Sequence, residues 1–400
     1  MQSEQAMEGV IRYLSHTLKN LDTPGSLPDE TQVLAEGVQL GSTYYWLIGR
    51  DPNNTNSDRL TIPVFRIMDE CAKVNINSAS AEMLESLPGM TPQIAAAIID
   101  WRDSDSSTSE NGAESDYYQL LTPGYQCKNA NFETLLELRL LRDVDYEVLY
   151  GEDMNLNGIL DDNENDGNET PPFDNQDGVL DKGLLEYLTI YSQIPNTASD
   201  DSELLNVNEA EDEELEELLM ETLDMDRVEE IMDRLGQSSD YNSVLEFFQR
   251  SGMTVEEFAK IENRITISEE ESFTGLININ TAPVEVLRCI PGIDESEAHR
   301  LVTRRNSNPD NTTSTAWITE ILDEESVTQA SPYITGRSYQ FCVDIVAVNI
   351  KGNGYRRAQY ILDTSGEEPR VLHRRDLGNL GWALGQPVYQ QFTIQQEMVR

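Results

Sequence analysis

The sequence predicts an α+β protein whose strands come from both ends of the chain and bracket a long helical insertion. Three observations predict it. Apolar, β-branched and aromatic runs cluster before residue 70 and after residue 336. Helical periodicity fills the block between them. Within that block one segment recurs: Asn75–Arg102 and Asn278–Arg305 align without a gap at an offset of 203 residues.

At the N-terminus, residues 3–20 place Met7, Val10, Ile11, Leu14 and Leu18 on one helical stripe. The stripe should pack partly on the strands and partly on partner helices. Thr43–Ile48 and Val64–Met68 read as the first strands. Ser338–Val348 and Tyr355–Asp363 read as a hairpin around Lys351-Gly352-Asn353-Gly354, with Arg370–Arg375 as a third strand. Residues 386–400 carry little signal and are read as a mobile tail.

The recurring segment reads NINSASAEMLESLPGMTPQIAAAIIDWR in one copy and NINTAPVEVLRCIPGIDESEAHRLVTRR in the other, with ten identities in 28 positions. A weaker copy opens at Asn206 with NVNEAEDEELEELL. Each copy starts extended and then turns helical near Ala79, Ala210 or Ala282. Glu82, Glu213 and Glu285 suit the positive end of that helix, and Pro283 suits its first turn. Pro88-Gly89 and Pro291-Gly292 break it, because proline cannot donate and glycine accepts positive φ. Ile94, Ala95, Ile98 and Ile99 then continue on a second helix, which makes the unit a helix-hairpin-helix. A further apolar helix follows near Phe132–Leu141, Val244–Phe248 and Trp317–Leu322, since one hairpin cannot bury a stable core alone. The middle copy has Leu219-Met220 in place of Pro-Gly and reads as a degenerate scaffold copy.

These readings divide the chain into 1–72 (helix and first strands), 73–150 (first bundle) and 151–196 (acidic loop region). They continue with 197–270 (degenerate repeat), 271–335 (third bundle) and 336–400 (closing strands and tail).

Charge bears on what the hairpins do. The chain has 28 Lys+Arg against 73 Asp+Glu, a net of −45. Phosphate binding requires a basic footprint, so no nucleic-acid partner is expected. Thr91 and Asp294 also stand where close backbone approach to a phosphate would want a second glycine, and Arg300, Arg304 and Arg305 are the only local basic cluster. Sixteen acids between Asp200 and Asp233, against Arg227 and, just beyond, Arg234, read as a solvated helix face.

Residues 151–186 hold eleven acids against Lys182 alone. Asp153, Asn155, Asn157, Asp161 and Glu164 fall at positions 1, 3, 5, 9 and 12 of a calcium loop, with Gly158 at the sharp turn and the Ile159 carbonyl at position 7. Calcium wants six to eight hard oxygens, which this set provides. A second, partial loop offers Asn175, Asp177, Val179 and Asp181. Its first and twelfth positions are Phe173 and Leu184, so Asp174 or Glu186 would have to substitute. No clear helix precedes Glu152, which argues against a sensor that opens a groove.

His16, His299 and His373 are far apart in sequence, and no Walker loop, nucleophile elbow, dinucleotide fingerprint or zinc motif is present. No catalytic residue is expected. Cys71, Cys127, Cys289 and Cys342 match no metal spacing. Cys289 and Cys342 suit buried thiols, and a Cys71–Cys127 disulfide is left open. No stretch reaches the length of a transmembrane helix.

Together these features resemble the K-type minor pseudopilin family of bacterial type II (general) secretion. The resemblance covers nearly the whole chain. It is most specific at Lys73–Arg102, Gly151–Leu188 and Leu276–Arg305, and extends to Tyr339–Val348 and Arg374–Trp382. It implies a pilin-like α/β domain carrying an inserted all-α domain of helix-hairpin-helix (SAM-like) bundles, and calcium bound in the insertion. It further implies a non-enzymatic place at the tip of a periplasmic pseudopilus, in complex with two other minor pseudopilins. Family members begin with a hydrophobic helix that a prepilin peptidase cleaves and that anchors them in the inner membrane before assembly. Here the amphipathic helix starts at once, so Met1 is read as a shortened or misplaced start, and contact with the membrane is expected only through that missing segment. Two readings of other classes are a periplasmic helix-hairpin-helix DNA-uptake receptor, disfavoured by charge and by the split α/β domain, and a calcium-dependent scaffold or adhesion protein.

Overall fold

The computed structural model describes residues 2–399 apart from 22, 29–30, 52, 54–59, 199–202, 237–239, 309–313 and 353, without the side chains of 393–399. Met1, Asn353 of the hairpin turn and the start of the acidic run at Asp200 therefore lie outside the described residues.

Strands from both ends of the chain form one antiparallel sheet in the order Val38–Leu40, Thr43–Gly49, Gln340–Asn349, Arg356–Asp363, Arg370–Asp376. Val64–Phe65 extends Thr43–Gly49, and Met68–Asp69 pairs with Gln340–Asn349, setting Phe341 opposite Asp69. The central strand is an almost unbroken apolar run because both of its faces are covered. Phe341, Val343, Ile345 and Ala347 face the N-terminal helix Gln2–Lys19, whose Met7, Val10, Leu14 and Leu18 are buried against them. Val346 and Val348 face the other way, with Trp46, Leu384 and Phe392.

Two expectations change here. The stripe of the N-terminal helix is spent on its own sheet, so a charge at Val10 or Leu14 would disrupt this fold before any partner contact. The C-terminal segment forms the helix Gly385–Val399, and Phe392 packs edge-on against Trp46 at 5.9 Å between ring centroids. Its moderate mix of apolar and polar residues conceals this, because only Val388, Tyr389 and Phe392 meet the rest of the fold through apolar contacts among its described side chains.

Between Asp69 and Gln340 lie three helical units, each closed by a two-residue parallel bridge. Val74–Asn75 pairs with Leu188–Thr189, Leu205–Asn206 with Ile265–Thr266, and Ile277–Asn278 with Ile334–Thr335. The first unit therefore runs from Val74 to Thr189 and takes the acidic loop inside it, across the expected border at 150. Two-residue strands leave no periodic trace, which hides such closures from sequence.

The identities of the repeat have local physical causes. The first asparagine of N-x-N accepts from the amide two residues on in all three copies, at 2.9 Å for Asn75, 3.1 Å for Asn206 and 3.0 Å for Asn278. Its carbonyl accepts from the alanine four residues on, Ala79, Ala210 or Ala282. The second asparagine braces the next element: Asn77 pairs with both backbone groups of Phe132, and Asn208 with both of Tyr241. Asn280 instead accepts from Trp317 Nε1 and donates to the Gly336 carbonyl. The helix proper begins two residues later than the alanine, at Ala81, Asp212 and Val284, because the alanine is still in the asparagine's turn. Ser80 caps the first of these helices and Pro283 is the cap residue of the third. Of the three apolar helices that follow, Leu135–Leu140 and Ala316–Glu320 are 3₁₀ segments, and Val244–Ser251 is α-helical.

The arginine that ends each well-preserved copy reaches back to where that copy began. Arg102 donates to the Ile76 and Ala79 carbonyls, and Arg305 donates to the Ile279 carbonyl at 2.8 Å. Hydrogen bonds from charged groups contribute roughly 1.5–3 kcal/mol. Arg102→Ala is therefore expected to destabilise the first unit by about that amount, read by urea unfolding. A change below measurement error would show that the tie carries no stability. All four cysteines are free and buried, which settles the open Cys71–Cys127 pairing against a disulfide.

Candidate functional site

The acidic segment follows a one-turn helix, Tyr146–Tyr150, too short to register as a period in the sequence. Asp153, 2% exposed, accepts from the Asn157 and Gly158 amides at 2.9 Å each. Asn155 accepts from the Asn157 amide at 3.0 Å, and Asn157 from the Ile159 amide at 3.0 Å. Both asparagine amides donate to Asp161 Oδ2, at 2.8 and 2.9 Å. Glu164 Oε2 accepts from the Asp161 amide at 3.0 Å. Gly158 has φ 72° and lies against the Arg50 guanidinium, whose Cζ would sit 2.6 Å from an added Cβ. The expected donors at positions 1, 3, 5, 9 and 12 therefore share one tight loop.

Two of its carboxyls are buried. Glu164 is 1% exposed; burial, and after it the charge of Asp153, pushes its carboxyl up to about 9. Burial also raises Asp153, although Arg50 opposes the shift. A hard divalent ion offsets such desolvated carboxylates. The donors fit calcium: all are oxygens, and half of them are amide or backbone carbonyls. Among the described residues no three His, Cys, Asp or Glu side chains are already gathered as a metal cluster.

The second loop repeats this ladder twenty residues on. Asn175 accepts from the Asp177 amide and Asp177 from the Val179 amide, both at 2.8 Å, while Asn175 Nδ2 lies 3.4 Å from Asp181 Oδ2. Phe173 is 60% exposed and Leu184 is fully buried, so neither end position can ligate. Two residues from the first loop's flanks supply the missing contacts. Asn165 Oδ1 accepts from the Gly178 amide at 3.2 Å, as Asp153 does from Gly158. Glu152 Oε2 accepts from the Asp181 amide at 2.9 Å, as Glu164 does from Asp161. The expected substitutes are engaged elsewhere: Glu186 with Arg50 at 2.7 Å, and Asp174 with the Gly167 and Gln176 amides. Sequence reasoning missed Glu152 and Asn165 because each stands outside the loop it completes. The one available signal was the match of Asn155–Asp161 to Asn175–Asp181.

Two arginines fix the first loop to the sheet. Arg357 pairs with Asp344 across neighbouring strands at 2.6 Å and also donates to the Asn155 and Leu156 carbonyls. Arg50 spans Glu186, Asp153 and the Leu156 carbonyl.

The hairpin tips are engaged in their own folding. Thr91 caps the Ile94 amide at 3.2 Å, and Asp294 and Glu297 form a reciprocal capping box at 2.8 and 2.9 Å. Arg300 and Arg305 hold the Ile321 and Ile279 carbonyls, and Arg304 pairs with Glu320. Arg300, Arg304 and Arg305 are thus occupied within their own unit. Mixed-sequence duplex DNA is accordingly expected to migrate unshifted at low salt. Sub-micromolar retardation that fades steeply with added salt would contradict this. His299 and His373 border one cleft between the units and the sheet, in which Glu70–Lys73 and Arg50–Glu186 are already ion-paired. His16 lies apart on the N-terminal helix.

Comparison with known proteins points to a secretion apparatus. Two family models, both described as type II secretion system (T2SS), protein K, match residues 72–150 and 277–334, the two well-preserved copies of the repeat. The type II secretion system protein K of Klebsiella pneumoniae is 41% identical over 64 residues, which cover 16% of this chain and 20% of that protein. The match thus spans about a fifth of the relative's length. A chain in the crystal structure of the GspK-GspI-GspJ complex from the enterotoxigenic Escherichia coli type 2 secretion system aligns over 94% of this chain and 98% of its own. It does so at 11% identity and a TM-score of 0.43, too loosely to carry an argument. Both family matches fall on the repeat that builds the helical insertion. Over these two segments the chain is similar to the protein K family of type II secretion.

Proposed function

We propose that the protein caps the tip of a type II secretion pseudopilus in the periplasm, as a non-enzymatic subunit joined to two other minor pseudopilins. In this reading the sheet with its N-terminal helix is a pilin-like frame, and the three units are helix-hairpin-helix bundles. One observation carries it. The whole block leaves the sheet at Asp69 and returns at Gln340, and Asp69 faces Phe341 on the neighbouring strand. An insertion entering and leaving through adjacent strands adds bulk at one place while the frame stays continuous. Asp69 secures the junction by accepting from Asn278 at 2.9 Å and Thr281 at 2.5 Å of the third unit. Such bulk would admit subunits beneath it and none above.

The test is co-expression with the two cognate minor pseudopilins, comparing the whole chain with one in which a short linker replaces residues 74–335. Both should co-elute with the partners, and only the whole chain should keep surface pseudopili short. Equal pseudopilus length in the two strains would refute the capping role.

Two calcium ions belong to the same proposal. The first would be held by Asp153, Asn155, Asn157, Asp161, Glu164 and the Ile159 carbonyl. The second would be held by Asn175, Asp177, Asp181 and the Val179 carbonyl, completed by Asn165 and Glu152. When bound, the ions would neutralise carboxylates that the fold has already taken out of water. Arg50 and Arg357 orient the first loop from the side of the sheet.

A further inference from the structure

We propose that the outer edge of the sheet, the strand Arg370–Asp376, takes up an extended acidic segment of another protein as one further strand. This edge belongs to the frame alone and serves whether or not the insertion caps a pseudopilus.

The sheet ends at this strand. It pairs with Arg356–Asp363 on one side, and among the described residues no backbone hydrogen bond reaches its other side. With seven residues it is much longer than the edge strand at the opposite end, Val38–Leu40, which has three. A row of unpaired amides and carbonyls of this length is a template for another strand. Val371 and Leu372 are 46% and 41% exposed on it. Leu372 is the extra residue of a bulge, since Ile361 stands opposite His373 and Leu362 opposite Val371. From His373 to Asp376 the register is regular again.

Charge sets the chemistry of the occupant. In a chain of net −45, this strand holds Arg370, His373, Arg374 and Arg375 against Asp376. Arg370 is paired with Asp363 at 2.8 Å. On the face towards the N-terminal helix, Arg374 pairs with Glu4 at 2.5 Å and lies over the Tyr360 ring, and Val371 stands opposite the buried Leu362. On the other face His373 and Arg375 line the cleft beside the helical units, as do Ile361 and Gln359 opposite them. Arg375 donates to the Tyr150 hydroxyl at 3.1 Å, and the His373 ring lies 6.2 Å from that of Tyr191. Among the described residues neither is paired with a carboxylate.

Side chains two apart share a face of a strand. An added strand would therefore set two acids, two residues apart, beside His373 and Arg375, and an apolar residue beside Val371 on the opposite face. At physiological ionic strength charges beyond about 8 Å are screened, so the local cations outweigh the net charge of the chain. The same cations disfavour a second copy as occupant, because pairing this edge with itself would set basic residues against one another. Charged side chains also guard free edges against aggregation, and a strand that is only guarded would take up no partner at all.

The test uses the full chain and a fluorescent synthetic peptide that alternates valine and glutamate, followed by anisotropy. The peptide should bind saturably, and isotope-edited infrared spectra should place its labelled carbonyls in the β-sheet band. His373→Glu with Arg375→Glu should weaken binding about tenfold. His373→Glu alone, at an exposed position, should weaken it about threefold even if the double variant folds poorly. A peptide alternating valine and lysine should not bind, nor should the glutamate peptide with every amide N-methylated, which cannot complete a ladder. Equal binding of the N-methylated peptide would overturn the proposal, since charge would then act without strand pairing. Absence of binding by the glutamate peptide would overturn it too, leaving the arginines as guards of the edge. So would a dimer of the unaltered chain, seen by light scattering and abolished by the same substitutions, with a second copy as the occupant.

Discussion

Arg357→Leu is expected to destabilise the protein by about 3–5 kcal/mol, because removing one member of a buried ion pair strands the other. Arg357 is 1% exposed and Asp344 2%, and the guanidinium meets both carboxylate oxygens, at 2.6 to 3.2 Å. The same group holds the Asn155 and Leu156 carbonyls, so the loss reaches the first acidic loop as well. Urea unfolding should show a lower midpoint, and limited proteolysis should cut earlier within residues 151–166. Replacing both partners, Arg357→Leu with Asp344→Leu, should recover much of the stability, since a hydrophobic pair of similar volume often matches a buried ion pair. The loop should stay protease-sensitive in that double variant, because its two carbonyls have still lost their donor. A single variant as stable as the parent would show that the loop and the sheet are not joined through this residue.

The second large effect is the one expected of calcium under the proposed binding, and its pH dependence would follow from Glu164. In the calcium-free fold this carboxyl keeps its proton up to about 9, whereas in the unfolded chain it releases it near the ordinary value of 4.5. Between those values the folded state binds the extra proton. Stability of the stripped protein therefore rises as pH falls from about 9 towards 4.5, and is lost as pH rises through the folded value. Calcium bound as proposed would replace that proton, so its affinity should increase with pH. A ligand bound only to the native form adds about 2.7 kcal/mol at a hundredfold excess over its Kd. The gap in melting temperature with and without millimolar calcium should thus widen from pH 5 to pH 9. Glu164→Gln should flatten the dependence, and magnesium should substitute poorly because it demands a tighter octahedron. A melting curve indifferent to calcium at every pH would remove the first loop from the proposal.

The chain itself determined much of this protein. The two strand clusters, the N-terminal stripe, the Pro-Gly breaks and the spacing of Asp153 to Glu164 are local patterns, and local patterns are legible in one dimension. Ten identities between two distant segments sufficed to reveal the repeated unit. The tertiary structure decided the rest, because those features depend on residues that meet only after folding. Parallel closures such as Ile277–Asn278 with Ile334–Thr335 are two residues long and carry no period. Phe392 became a core residue by packing against Tyr44 and Trp46 on the far face of the sheet. The stripe of Met7, Val10, Leu14 and Leu18 was plain in the sequence, but only packing showed that it is wholly consumed by the chain's own strands. Glu152 and Asn165 hold the amides of a loop to which neither belongs in sequence, because a hydrogen bond depends on position in space and not on order along the chain.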